Sequence, residues 1–293
     1  KAFRFSLPII LMSYLGFFVE WFDRFTLGMY FGVKEMGLFS AGLAAFAAAR
    51  RLPLSLTEVL VPSYSKISLR GKEVLSRAYG KNVFYYAIVF FFSSLALVIF
   101  RREIITILFT RQFLPAADIL LILGGTFILS AVTNPGSALL VGCGYTRLNT
   151  ANYIAGVVVL VPSLLVFTRI WGIRGAALAK ILSHLVTTAG MIFILTRLVK
   201  IKLPFRSFVR LLILAAAAGL ITGLVKYLVD FLPLSLVLLP LLYFGGVWMI
   251  ILNREDKDYL LDIWKKARSG RKIISEPKVS WDDKPDADLN RKD

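Results

Sequence analysis

The chain is poor in the residues that usually do chemistry. Its 293 residues include one cysteine, Cys143, and one histidine, His184. A single cysteine excludes an internal disulfide, and one of each leaves too few ligands for a Cys/His metal centre. There is no Gly-x-Ser-x-Gly elbow, no phosphate-binding glycine loop and no clustered His/Asp set. Ser, His and Asp occur at no spacing that argues for catalysis, so the sequence does not read as an enzyme. Charge is also scarce, at 18% of residues against about 25% in soluble domains. Acidic groups are scarcer still, with 18 Asp and Glu against 35 Lys and Arg, a net charge of +17.

What the chain has in abundance is apolar length. Hydrophobic residues make up 57% and the mean hydropathy is +0.72. They fall into blocks that predict eight spans, at about 7–31, 36–62, 82–100, 116–141, 148–169, 173–196, 207–229 and 232–252. In lipid only helices or closed barrels satisfy the backbone, so spans of this length predict an all-α integral membrane protein.

The basic residues sit mostly in the loops between these spans and in the tail. With the N-terminus cytoplasmic, 13 Lys and Arg fall in inside loops and 7 in outside loops, and the tail adds 11 more inside. Both ends are therefore expected in the cytoplasm. A nucleic-acid surface would interleave basic residues with stacking aromatics, whereas here the aromatics lie within spans. Lys1 and Arg4 ahead of an apolar run resemble a signal peptide, but the run is too long and has no small-residue cleavage site. The absent initiator Met points to a truncated product.

The tail divides in two. Residues 253–274 predict an amphipathic basic helix on the anionic inner leaflet, and 275–293 a disordered polar segment. A plain solvated tail is the alternative. Pro53, Pro135, Pro162 and Pro240 interrupt spans, either as structural kinks or as bends in helices that line a cavity.

Several charges lie inside the spans. A charge at the centre of a bilayer costs about 2.5–3.5 kcal/mol on insertion scales. Glu20, Asp23 and Arg24 are spaced i, i+3, i+4 and share one helical face, with Glu20 placed to pair with Arg24. Asp23 then needs a partner, and the second span offers Arg50 or Arg51, with Glu58 two turns further on. These groups are either ion pairs holding helices together or the lining of a polar cavity. Arg24, Arg50 and Arg51 outnumber Glu20 and Asp23, which leaves positive charge for an anion, and the guanidinium fork suits phosphate. The sixth span carries Lys180, Ser183, His184 and Thr187 at helical spacing. His184 reads as a hydrogen-bonded packing residue ahead of a proton carrier, and Lys180 as able to snorkel to the outer headgroups. Asn134, beside Pro135, either helps to coordinate a cation or simply marks a kink.

Three groups of residues carry a family resemblance. DRFTLGMYFGVKEMGLFSAGLA (23–44), LPLSLTEVLVPSYSKI (52–67), and IITILFTRQFLPAADILLIL (104–123) with WGIRGAALAKILS (171–183) resemble the polysaccharide transporter family. This is the lipid-linked oligosaccharide flippase branch of the multidrug/oligosaccharidyl-lipid/polysaccharide exporters. The resemblance covers about 1–252. It implies two six-helix lobes, of which 1–200 would be the second, 207–252 two additional helices, and the first lobe absent. It further implies a plasma-membrane protein that flips a polyprenyl-(di)phosphate-linked oligosaccharide by alternating access. Arg24, Arg50 and Arg51 would be this lobe's share of a cationic cavity. Glu20, Asp23, Glu58 and Asn134 would serve as ion-pair or coupling-ion residues, and Lys180 and His184 as a secondary polar face. No cofactor is implied beyond a coupling Na⁺ or H⁺. The implied partners are the lipid-linked substrate, membrane lipids, the missing lobe, and glycosyltransferases or a polymerase of the same pathway. Two residues depart from the family pattern: Trp171 replaces a Tyr, and Lys180 stands where a small or neutral residue is usual. The alternatives are a cation-coupled multidrug antiporter of the same superfamily, a non-transporting scaffold of a glycan-assembly complex and, against the lack of a catalytic constellation, a membrane-embedded transferase.

Overall fold

The structure, a computed structural model, describes residues 2–201, 205–229, 231–252 and 257. The chain divides into two units, Lys1–Val247 and Trp248–Asp293. The site and the packing described below lie in the first unit. The amphipathic helix expected at 253–274 and the disordered tail expected at 275–293 lie outside the described residues, apart from Lys257.

The described residues are all-helical: α1 (Ala2–Phe31), α2 (Val33–Glu58), α3 (Leu60–Ser68), α4 (Lys72–Ile99), α5 (Arg101–Leu108), α6 (Ala117–Gly142), α7 (Thr146–Phe193), α8 (Phe205–Val229) and α9 (Leu232–Gly246). A 3₁₀ turn, Arg111–Ala116, leads into α6, and π-helical turns close α7 and α9. Among the described residues, five helical stretches are long and apolar enough to cross a membrane. They are Lys72–Ile99, Arg111–Gly142, Thr146–Arg197, Arg206–Val229 and Leu232–Ile251.

The predicted spans 7–31 and 36–62 are helical but are not among these five, and the fifth and sixth predicted spans share one stretch; two element boundaries also differ. The expected span 36–62 is two helices, broken at Val59. Pro62 has no N–H to give to the Glu58 carbonyl, so the helical ladder cannot run through. Pro53, by contrast, lies inside α2 and is tolerated there. The expected span 82–100 begins ten residues earlier, at Lys72. Leu75, Ala78, Tyr79 and Val83 repeat at helical spacing and are buried, which outweighs the charges of Lys72, Arg77 and Lys81 on the rest of that stretch.

The fifth and sixth predicted spans meet at Gly172, where the backbone of α7 leaves helical geometry at φ 57, ψ −136. That conformation is open essentially to glycine alone. A second positive-φ glycine, Gly32 (φ 83), reverses the chain between α1 and α2. The two turns are neighbours: a Cβ built on Gly172 would lie 3.9 Å from Cζ of Phe31.

α6 runs through the middle, packed against α2, α3, α4 and α7. Its contacts with α4 are closed by Ser94 Oγ donating to the Gly124 carbonyl (2.8 Å) and Tyr79 Oη donating to that of Val132 (3.2 Å). Phe127 takes Phe46 edge-on at 5.2 Å and lies 5.8 Å from Phe90, joining α2, α4 and α6. At the other end of α6, Leu139 and Leu140 pack with Tyr64, Tyr79 and Leu195 in one buried cluster. α8 and α9 attach to α4 and to the start of α5. Lys226 pairs with Glu103 (2.8 Å) and donates to the Ile99 carbonyl, while Tyr243 Oη donates to that of Ile88 (2.9 Å).

Candidate functional site

The charged face of α1 does not point into a lipid-like exterior. Glu20, Asp23 and Arg24 line a cavity of about 700 Å³ shared by α1, α2, α6 and both halves of α7. Arg50 and Arg51 enter it from α2, Asn134 from α6, and Lys180 and His184 from the second half of α7. Glu58 is not in this chamber. It borders a second recess of about 340 Å³, lined in part by Leu54, Asn134 and Ser137, which the two spaces share.

Two expected contacts are corrected. Asp23 is fully buried, and its partner is Lys180 of α7 rather than Arg50 or Arg51. Helical rise explains the choice. Asp23 lies nine residues from the Gly32 turn and Lys180 eight from Gly172, so each sits about 12–14 Å below its turn. The turns themselves are adjacent, which brings the two groups to one level. Arg50 is 18 residues from Gly32, about 27 Å along its helix and well beyond Asp23. Lys180 is therefore an interior counter-ion with side-chain exposure of 18%, not a residue reaching for headgroups.

The second correction concerns Arg24. Among the described residues, the ion pairs are Arg174–Asp118, Lys180–Asp23 and Lys226–Glu103, so Glu20 and Arg24 do not form the expected pair. The Arg24 guanidinium instead lies 5.4 Å from the Trp21 ring centroid, a cation–π position one helical turn away. Glu20 contributes to the electrostatic field at Arg50.

The pairing decides which cations of the chamber stay free. Lys180 neutralises Asp23, which leaves Arg24, Arg50 and Arg51 opposed by Glu20 alone. Beyond the Lys180–Asp23 pair, four buried polar atoms on the lining have no protein partner: Asp23 Oδ1, Arg50 Nε, Asn134 Nδ2 and His184 Nδ1. Buried polar groups are nearly always satisfied, so such a cluster on one cavity marks where water or a ligand supplies the missing bonds.

Other residues of the site were not picked out from the sequence. The first half of α7 contributes Asn149, Asn152 and Tyr153, at the same i, i+3, i+4 spacing that singled out Glu20, Asp23 and Arg24. α6 contributes Thr126, Thr133 and Ser137. Both sets are uncharged and are easily lost in spans of this hydropathy. Asn152 Nδ2 donates to the Thr187 carbonyl (3.0 Å) and Ser183 Oγ to that of Gly156 (2.8 Å), so the two halves of α7 are tied beside the cavity. Small residues at such crossings allow close helix approach, and a Cβ on Gly156 would meet Thr187 and Ser183.

Comparison with known proteins agrees with the resemblance in the sequence. Residues 1–118 match the family described as polysaccharide biosynthesis protein. Over 215 residues the chain is 24% identical to the probable low-salt glycan biosynthesis flippase of Haloferax volcanii, a distant homologue. That alignment covers 70% of this chain and 44% of the relative, so the chain spans less than half the length of the curated relative it matches. No solved structure matches.

Proposed function

We propose that this chain forms the second lobe of a flippase for a polyprenyl-(di)phosphate-linked glycan, with the cationic chamber as its share of the translocation path. All eight predicted segments cross the membrane in this reading, α7 crossing twice about Gly172, and both ends face the cytoplasm. Residues 1–200 then form the transport lobe and α8 and α9 the two additional helices. Substrate moves by alternating access against a partner lobe.

One observation carries the reading: Arg24, Arg50 and Arg51 line a single chamber inside a helical bundle, with only Glu20 left to oppose them. A volume of about 700 Å³ lies within the 300–1,000 Å³ of typical small-molecule sites. Guanidinium groups aimed into a low-dielectric space recognise phosphate strongly. The same pairing weighs against a drug/cation antiporter, because Lys180 occupies the buried carboxylate that such a protein would offer to a cation. It also weighs against a scaffold, for which a charged interior would be costly and useless.

The test uses the native-length protein in its own membrane with Arg50→Gln and Arg51→Gln combined. Surface glycan should fall at least about tenfold and the lipid-linked precursor should accumulate, with the level of membrane-inserted protein unchanged. Normal surface glycan in that variant would overturn the proposal.

A further inference from the structure

Glu58 has no place in the phosphate-binding chamber, and its surroundings differ from it in kind. The recess it borders contains one charged side chain, Glu58 itself, with Thr57, Asn134 and Ser137 as polar neighbours and aliphatic groups between them. Among the described residues Glu58 makes no ion pair. Asn134 Nδ2 is buried without a protein partner and belongs to the lining of both spaces. The two spaces are adjacent and share Leu54, Asn134 and Ser137 as lining. Arg51 and Glu58 stand seven residues apart on α2, two turns along one helical face and separated by about 11 Å.

We infer that this recess is a glycan subsite, built to take the uncharged sugar next to the phosphate and to reject an acidic one at that position. The inference rests on the reading of Arg50 and Arg51 as the phosphate-binding groups. The layout is a cationic chamber and, two turns along α2, a recess with an acid, an amide and two hydroxyl groups. A ligand with the same polarity has its phosphates at one end and neutral hydroxyls at the other. A carboxylate accepts hydrogen bonds from two sugar hydroxyls, and an amide both donates and accepts. The Asn134 Nδ2 hydrogens gain in a sugar oxygen the partner the protein does not provide. A carboxyl-bearing sugar would instead place like charges together at Glu58, which is costly at an interface. Selectivity for the first sugar thus belongs to α2 and α6, while the arginines hold any lipid diphosphate regardless of its glycan.

The experiment measures dissociation constants for the native-length protein in lipid nanodiscs with three short-chain polyprenyl diphosphates: one without sugar, one with a single N-acetylhexosamine, and one with a single hexuronic acid. The quantity read is the affinity ratio of each sugar-bearing ligand to the sugarless one. The unmodified protein should favour the N-acetylhexosamine over the hexuronic acid. In Glu58→Gln the N-acetylhexosamine ratio should fall about tenfold, the loss typical of a hydrogen bond to a charged group, and the hexuronic acid ratio should rise. Ser137→Ala, a smaller change, should lower the N-acetylhexosamine ratio several-fold. Ratios that are the same in all three proteins would overturn the subsite and leave the phosphate chamber standing. If Arg50→Gln left the affinity for the sugarless diphosphate unchanged, the functional reading would fall and the subsite with it.

Discussion

Replacing Lys180 by Met tests whether the buried pair with Asp23 holds α1 to the second half of α7. Met keeps most of the length and apolar stem of Lys and removes only the charge. Asp23 is completely buried and would remain so, now without its counter-ion. Removing one member of a buried pair costs about 3–5 kcal/mol, because an uncompensated charge is left behind. Arg24, next in sequence, also contributes to the field at Asp23 and puts the loss near the lower end, about 3 kcal/mol. For a chain of this size, each kcal/mol moves Tm by about 2–4 °C, so Lys180→Met should lower Tm by about 6–12 °C. The assay is thermal unfolding in mild detergent, followed by the fraction that stays monodisperse. The double variant Asp23→Asn/Lys180→Met removes both charges and should recover most of the loss, with a coupling energy of about 2–3 kcal/mol. A Lys180→Met protein as stable as the parent, or a double variant no better than the single ones, would refute the claim that the pair is what makes the Asp23 charge tolerable.

Further outcomes follow from other parts of the fold. The thiol of Cys143, in the turn after α6, is pushed up from its ordinary value by burial, partly offset by a hydrogen bond with Ser68. A raised value means less thiolate at neutral pH, so maleimide labelling should be slow at pH 7 and rise about tenfold per pH unit. With an impermeant reagent the label should enter only from the cytoplasmic face, and labelling from outside would reverse the proposed orientation. Gly142→Ala would put a Cβ 2.6 Å from the Val61 carbonyl oxygen and 3.2 Å from Cβ of Tyr64, forcing α3 away from α6. A loss of about 1–3 kcal/mol is expected in the same unfolding assay. Gly172→Ala has room for its methyl group but not the backbone conformation, and should cost a similar amount through strain alone.

The polar faces on single helices were legible in the sequence because they depend only on helical spacing. Glu20, Asp23 and Arg24 share a side of α1 wherever α1 goes, and the same rule applied to uncharged residues would have found Asn149, Asn152 and Tyr153. The helix break before Pro62 was equally local, and was missed because apolar content outweighed proline chemistry over that window. The first ten residues of α4 were missed for the opposite reason: their charges hid the buried stripe from Leu75 to Val83.

The partner of Asp23 was of another kind. Arg50 and Arg51 are nearer in sequence and of the right charge, and no local pattern disqualifies them. Only the adjacency of the turns at Gly32 and Gly172, some 140 residues apart, puts Lys180 level with Asp23 and leaves the arginines about 14 Å further along α2. The sequence by itself determined an all-helical, strongly apolar chain with charges on particular helical faces. The excess of positive charge was already legible there; which cation is spent on Asp23, and therefore that all three arginines stay free, was decided by tertiary structure. Electrostatic pairing depends on separations of a few ångströms between helices, and those distances are set by how the turns pack.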